Sequence, residues 1–190
     1  MFRLRSSHQT TECRVGRAKL SKTKETAISK IASEDDVNCF FFFDAEGVIH
    51  REFDPEGQSV NAEFYVGVLD RLLKRIRRVR TAKFQSSEWF LFHDNAPSHN
   101  AAIVKKFLAN RNVAVLHHPP YSPDLAPADY LLFPKFTFPL KGRHFQTEEI
   151  QCAVTRELNN ISKTAFLEGM KKLKERANKC IDQRGMYFEE

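Results

Sequence analysis

Residues 89–102 of the chain read WFLFHDNAPSHNAA. An apolar run of strand length ends at a carboxylate, Asp94, and the segment Ala96-Pro97-Ser98 then breaks the pattern. The run predicts a buried strand that stops at Asp94, because proline cannot continue a sheet ladder. One interpretation is an Asx turn, in which a short polar side chain closes the strand end. The other is that the strand holds a carboxylate rigidly at the edge of a sheet, where a metal ion can bind it.

The segments before this strand predict a hairpin and then an amphipathic helix. VNCFFFF from Val37 and VIHREF from Val48 indicate two antiparallel strands joined by the turn DAEG. A helix beginning at Asn61 follows, with apolar residues at i, i+3 and i+4 spacing. The opposite face of that helix is basic and carries Arg71, Lys74, Arg75, Arg77 and Arg78. A solvated helix face is the more common meaning of such charges, and a surface that contacts DNA is the other.

The segments after the strand complete an alternating pattern. NAAIVKKFLANR indicates a helix, VAVLHH a short strand, and PPYSPDLAPADYLLF an irregular loop rich in proline. Two further helices are expected near 147–160 and 163–180. This order of strands and helices is typical of a mixed sheet with helices on its faces, an α/β layered domain.

A second carboxylate, Asp129, lies in the proline-rich loop, just after Pro127 and at the start of a helical run. An acidic residue there complements the helix dipole, so a capping role accounts for it without any further function. If Asp94 and Asp129 meet at one edge of the sheet, however, their oxygens form the hard site that Mg²⁺ prefers. Two such ions can activate water and stabilise the leaving oxygen in phosphodiester cleavage. The residues alone leave both interpretations open.

Composition limits the classes of protein to consider. The chain has 190 residues and a formal net charge of +6 at pH 7, which suits a polyanionic partner. The four scattered cysteines favour a reducing compartment. The chain has neither a signal-like apolar segment nor a run of roughly eighteen apolar residues, so neither secretion nor a membrane partner is expected. Residues 1–36 predict a flexible basic segment, solvated or bound to phosphates, ahead of a globular part at 37–190.

Several stretches resemble the catalytic domain of mariner-type transposases of the Tc1/mariner superfamily: HDNAPSH, YSPDLAPADYLLF, EGQSVNAEFY and the terminal KCIDQRGMYFE. The resemblance covers roughly residues 37–190 and implies an RNase H-like fold in which three aspartates bind two divalent metal ions. Thirty-four residues separate the second and third aspartates of that family, and thirty-four lie between Asp94 and Asp129. Asp124 has the wrong spacing. The resemblance therefore implies that Asp94 and Asp129 are catalytic and bind metal.

The same resemblance implies the activity and the setting. The activity is divalent-metal-dependent DNA cleavage and strand transfer in transposition, with Mg²⁺ or Mn²⁺ as the cofactor. The partner is double-stranded DNA at transposon ends, homodimer formation is an open possibility, and the location is nuclear.

The sequence departs from this family in two respects. The first catalytic aspartate belongs to a TGDE-like stretch that has no counterpart here, which predicts that the first central strand is missing and the metal site is incomplete. Asp44 ends an apolar strand but aligns with a turn residue, so closing the hairpin is its expected role. The helix-turn-helix modules have no counterpart either, as expected for a truncated or domesticated chain or an incorrect gene model. These departures predict little or no cleavage activity, with a catalytically inactive nucleic-acid-binding or interaction remnant as the alternative.

Overall fold

Four consecutive phenylalanines show how the domain is layered. In the computed structural model, Phe40 and Phe42 face one hydrophobic core, Phe41 and Phe43 face another, and all four are fully buried. Side chains alternate between the two faces of a strand, so a strand without a polar position needs cover on both faces. The sheet therefore lies between two layers of helices. The structure describes residues 24–32 by their backbone, and residues 38–54, 60–86, 89–120, 122–135 and 147–183.

Within the described residues, five strands form one mixed sheet. They are β1 (Lys24–Ala32), β2 (Asn38–Asp44), β3 (Gly47–Phe53), β4 (Trp89–His93) and β5 (Val115–His117). Their order across the sheet is β3-β2-β1-β4-β5. β2 is antiparallel to both β1 and β3, whereas β4 is parallel to β1 and β5. The predicted hairpin, the strand that ends before Asp94 and the mixed α/β sheet are all confirmed.

Strand β1 corrects the prediction that the first central strand is missing. Residues Lys24–Ala32 occupy the centre of the sheet, with β2 on one side and β4 on the other. These residues, which the sequence analysis placed in a flexible basic segment at 1–36, are paired with a neighbouring strand on each side. The sequence of β1, KETAISKIA, is too polar to indicate a central strand, and the ladders to two neighbours hold it instead. Residues 1–23 and 33–37 lie outside the described residues, so for them the prediction stays a prediction.

Helices cover both faces of the sheet. They are α1 (Ala62–Val79), α2 (Thr81–Ser86), α3 (Pro97–Asn100), α4 (Ala102–Asn110), α5 (Thr147–Asn160) and α6 (Lys163–Asp182). A 3₁₀ turn at Pro123–Leu125 and a π-helical turn at Ala128–Leu132 follow β5. Helices α1 and α4 cover the face of Phe40 and Phe42, while α5, α6 and the π-helical turn cover the other. None of the helices in the described ranges is long and apolar enough to cross a membrane.

Helix α1 follows the sequence pattern closely. Asn61 is its N-cap, and the side chain of Asn61 accepts a hydrogen bond from the backbone N–H of Phe64 at 2.8 Å. The apolar stripe is buried as predicted, from Tyr65 through to Ile76. The basic face points away from that stripe and lies next to the edge strand β3. The helix thus separates a buried apolar face from a charged surface groove.

Candidate metal centre

Asp94 lies one residue beyond the end of β4, which is flanked by β1 and β5 and is therefore fixed in position. The carboxylate Oδ1 of Asp94 accepts a hydrogen bond from the backbone N–H of Ala96 at 3.2 Å, so the Asx turn considered from the sequence is present. The side chain of Asn95 donates to the carbonyl of His118 at 2.7 Å and ties this turn to the chain after β5. The Asp94 side chain remains 58% exposed. The turn and an accessible carboxylate therefore coexist.

His99, in the short helix α3, makes the closest contact with Asp94. Its Nδ1 donates to Oδ1 of Asp94 at 2.5 Å, and the side chain of His99 is only 2% exposed. Burial on this side raises the pKa of Asp94, but the hydrogen bond and charge of His99 outweigh burial and leave the pKa below its ordinary value. Asp94 is thus a carboxylate near neutral pH. Among the described residues, no hydrogen-bond donor reaches its other oxygen, Oδ2.

A stack of rings fixes His99. The His99 ring lies 3.9 Å from the Tyr65 ring of α1 and 5.4 Å from the His93 ring, measured between centroids. Burial lowers the pKa of His93 to about 4, and the charge of His99 acts in the same direction. The His93 ring is therefore neutral and accepts a hydrogen bond at Nδ1 from the Tyr65 hydroxyl at 3.1 Å. No local sequence pattern predicts a role for His99 or Tyr65 at this site, although His99 follows Asp94 by only five residues.

Asp129 lies in the π-helical turn, half-buried against the sheet. Burial raises the pKa of Asp129, and the negative charge of Asp94 raises the pKa further. Asp129 is therefore near enough to Asp94 for the charge of Asp94 to act on it. The turn is held by α6, because the Tyr130 hydroxyl donates to the Gly169 carbonyl at 2.9 Å. A Cβ at Gly169 would lie 2.5 Å from the Leu131 side chain, so glycine is what permits this close approach.

The central strand β1 places no carboxylate level with Asp94. Ala27 pairs with Phe92 in the ladder to β4, and continuing that register by two residues brings Ser29 level with Asp94. The acidic residue of β1 is Glu25, which pairs with Phe90, so it lies about 13 Å before Asp94 along the sheet at about 3.3 Å per residue. The prediction that the site lacks its first carboxylate stays a prediction, now with Ser29 as the residue at that level.

Asp44 does not supply a third carboxylate to this site. It follows Phe43 on β2, and strand alternation directs it to the α1 face of the sheet, opposite the face that Asp129 covers. Its side chain is 1% exposed and binds Arg80 at 3.0 Å and Lys83 at 2.5 Å. Its Oδ1 also accepts from the Glu46 backbone N–H at 2.9 Å. Asp44 therefore closes the hairpin, as predicted, and is held there by two cations.

The donor set fits one hard divalent cation. Burial is the larger cause of the raised pKa of Asp129 and the charge of Asp94 adds to it; a cation bound between the two carboxylates would relieve that repulsion. The exposed side of Asp94 is open to solvent, which suits Mg²⁺ because this ion retains several water ligands in proteins. No group of three His, Cys, Asp or Glu side chains suited to a metal ion occurs in the part of the chain that the structure describes. The complete two-ion arrangement therefore needs a further carboxylate.

Comparison with known proteins agrees with this geometry. The sequence profile of the DDE superfamily endonuclease family matches residues 6–147. The Mariner Mos1 transposase of Drosophila mauritiana is 35% identical over 150 residues, which are 78% of this chain and 44% of that protein. This chain thus spans less than half the length of that relative.

Two solved structures extend the comparison to the fold. The Mos1 transposase catalytic domain with raltegravir and Mg has a TM-score of 0.86 at 28% identity, covering 100% of this chain and 99% of that one. The Mos1 transposase paired-end complex with the left transposon end has a TM-score of 0.85 at 25% identity, covering 100% and 65%.

The chain belongs to the DDE superfamily endonuclease family. Within that family, it corresponds to the catalytic domain of a mariner-type transposase, as the sequence resemblance implied. The RNase H-like α/β fold expected from the resemblance is confirmed as well.

Proposed function

We propose that this domain cleaves DNA phosphodiester bonds and transfers the cut strand, using a divalent cation bound by Asp94 and Asp129. The observation that carries the proposal is that the charge of Asp94, just beyond the end of β4, acts on the half-buried Asp129 and helps to raise its pKa. The Mg in the related Mos1 catalytic domain supports a divalent cation as the cofactor, Mg²⁺ or Mn²⁺. When bound, such a cation neutralises phosphate charge and lowers the pKa of a coordinated water.

The residues around Asp94 prepare it for this task. His99 holds Oδ1 by a hydrogen bond, so the carboxylate is oriented with Oδ2 available for the cation. Asn95 anchors the turn to His118, which keeps Asp94 from moving with the loop. The exposed side of Asp94 opens to solvent, where a DNA strand can approach. These contacts orient a ligand before substrate binds, which is how positioning lowers a barrier.

The described residues supply no third carboxylate beside Asp94 and Asp129, and this limits the expected rate. With Asp94 and Asp129 as the protein ligands, the ion would be held mainly by water, and a misplacement of about 1 Å can cost on the order of a hundredfold in rate. We therefore expect slow cleavage by this chain. A carboxylate introduced at Ser29, the position level with Asp94, is expected to raise the rate.

A plasmid-nicking assay with Mn²⁺ tests the proposal. We expect slow nicking by the unaltered chain, loss of nicking in Asp94→Asn and in Asp129→Asn, and faster nicking in Ser29→Asp. The matched control is Lys30→Asp, which is one residue further along β1 and therefore on the other face of the strand. We expect no increase in the nicking rate of this variant. Nicking that persists in Asp94→Asn would rule out this site. A chain that binds DNA and Mn²⁺ but never nicks would favour the inactive remnant instead.

We also propose double-stranded DNA as the partner, a homodimer as the assembly and the nucleus as the location. The net charge of +6 supports a polyanionic partner. The related Mos1 paired-end complex, which contains a transposon end, supports DNA in particular and an assembly that pairs ends. Light scattering with and without duplex DNA tests the assembly, and a chain that stays monomeric in both states would contradict it.

A further inference from the structure

A second charged feature lies beside β3, three strands away from β4 in the sheet. A groove of about 850 Å³ runs between the edge strand β3 and helix α1, with Asn159 of α5 at one side. Its charged lining consists of five cationic side chains and a histidine: Arg51, Arg71, Lys74, Arg75, Arg78 and His50.

Three of these cations have no acidic partner among the residues that the structure describes. Arg71 and Lys74 form ion pairs with neighbouring carboxylates. Across the described residues, no carboxylate lies within ion-pair distance of Arg51, Arg75 or Arg78. Arg51 and Arg78 are exposed and Arg75 is half-buried. The groove therefore has a surplus of positive charge that a bound anion can neutralise.

The backbone of β3 orients one of these cations, Arg75, by a hydrogen bond. Phe42 pairs with His50 and Phe43 with Val48, so Ile49 is an extra residue, a β-bulge in the edge strand. Arg75 donates from Nε to the Ile49 carbonyl at 3.2 Å. In the described part of the chain, the Nη groups of Arg75 have no hydrogen-bond acceptor. The bulge thus fixes a guanidinium whose remaining donors are unused.

The groove is separate from the candidate metal centre. Strand β3 is three strands away from β4 in the sheet, which is about 14 Å at the usual spacing between strands. Helix α1 covers the face opposite the π-helical turn that carries Asp129. A molecule bound in the groove therefore does not occupy the site at Asp94.

We propose that this groove binds the phosphate backbone of a DNA duplex, as a contact surface additional to the metal centre. From Arg71 to Arg78, helix α1 rises about 10 Å, equal to the axial rise of about three phosphates of one DNA strand. Guanidinium groups match phosphate by paired N–H donors, so arginine suits this partner better than lysine. The inference rests on the proposed function in one respect, namely that the polyanion bound by the groove is DNA.

The test is the salt dependence of duplex binding, measured by fluorescence anisotropy in EDTA. The groove variant is Arg51→Gln with Arg78→Gln, and the matched control is Lys171→Gln with Lys172→Gln on the exposed face of α6. Each phosphate contact contributes about 0.9 to the slope of log K against log salt. We expect the groove variant to lose about 1.8 of that slope and the control variant to keep the slope of the unaltered chain. The conservative variant, Arg51→Lys with Arg78→Lys, should keep most of the slope of the unaltered chain.

Other outcomes are decisive in the same experiment. Equal losses in groove and control variants would mean that net charge alone governs binding, and would overturn the proposal. Displacement of the duplex by poly-glutamate as readily as by unlabelled DNA of equal charge would overturn it too, in favour of an acidic protein partner. Thermal unfolding must match between the two double variants, so that lost binding is not lost folding. EDTA removes divalent cations, so this experiment measures DNA binding without cleavage. A negative result would therefore refute the groove without bearing on cleavage at Asp94 and Asp129.

Discussion

At the scale of single residues, the buried side chain of His99 orients the exposed side chain of Asp94. Asp94 is mostly open to solvent, but one of its oxygens is held by a histidine that is itself stacked on Tyr65. Because His99 is fixed, the Asp94 carboxylate loses little conformational freedom when it binds a metal ion. Partners of this kind are typical of protein metal sites.

Replacing His99 should therefore weaken cation binding. For His99→Ala we expect Mn²⁺ affinity to fall by about 10- to 100-fold, because Asp94 loses the donor that orients it. His99→Asn should recover part of that loss, since its amide N–H can take the place of Nδ1–H. Isothermal titration with Mn²⁺ measures both. The control is His117→Ala, an exposed residue that lines the same cavity as Asp94, and equal losses in His117→Ala and His99→Ala would contradict the role of His99.

Asp44 is a second residue whose importance is visible only in three dimensions. Its buried carboxylate binds both Arg80 and Lys83, each of which is largely buried itself. For Asp44→Asn we expect a loss of about 3 kcal/mol in the free energy of unfolding, because two cations lose their shared partner. Asp70→Asn, which breaks more exposed pairs, should cost less than about 1 kcal/mol. Urea denaturation distinguishes the two, and equal losses would count against the buried network.

The same ion pairs predict how stability depends on pH. Burial raises the pKa of Asp44, but the hydrogen bonds from Arg80 and Lys83 outweigh burial and hold the pKa below 3.8. A carboxyl with a lower pKa in the folded state contributes stability above its unfolded pKa and loses it as pH falls through the folded value. The stability difference between the unaltered chain and Asp44→Asn should therefore be constant above about pH 5 and shrink below 3.8. A difference that persists unchanged at pH 2.5 (about one unit lower) would contradict this assignment.

At the scale of elements, strand β1 connects the two halves of the sheet. It pairs with the hairpin strand β2 on one side and with β4, which leads to Asp94, on the other. Central strands exchange hydrogen bonds with two neighbours, so their amides open only when the sheet does. The position of β4, and hence of Asp94, depends on this strand.

Hydrogen exchange tests the place of β1 directly. We expect amides within Lys24–Ala32 to exchange as slowly as those of β2, because both strands are paired on two sides. The edge strand β3, paired on one side within the described sheet, is the internal control and should exchange faster. Exchange can be followed by mass spectrometry of peptides that cover each strand. Rapid exchange throughout Lys24–Ala32 would restore the picture of a flexible basic segment.

At the scale of the whole molecule, the elements that the sequence predicted correctly are those indicated by patterns among neighbouring residues. The phenylalanine run of β2 and the apolar stripe of α1 are read from neighbouring residues, and both formed as predicted. Strand β1 carries a polar sequence, and its place comes from ladders to strands that are distant along the chain. The ring stack at His99 joins α1 to α3, a contact that no local pattern indicates. Asp94 and Asp129 were identified by the resemblance to mariner-type transposases and by the spacing in that family, whereas the effect of Asp94 on the pKa of Asp129 required the fold.

The central claim, that Asp94 and Asp129 share one divalent cation, is tested most directly by Mn²⁺ titration of the purified chain. We expect a single site in the unaltered protein and a loss of affinity of at least about tenfold in both Asp94→Asn and Asp129→Asn, because each variant removes one of two charged ligands. Asp124→Asn, the acidic residue with the wrong spacing, serves as the control and should bind as the unaltered chain does. Undiminished Mn²⁺ affinity in Asp129→Asn would contradict the shared site.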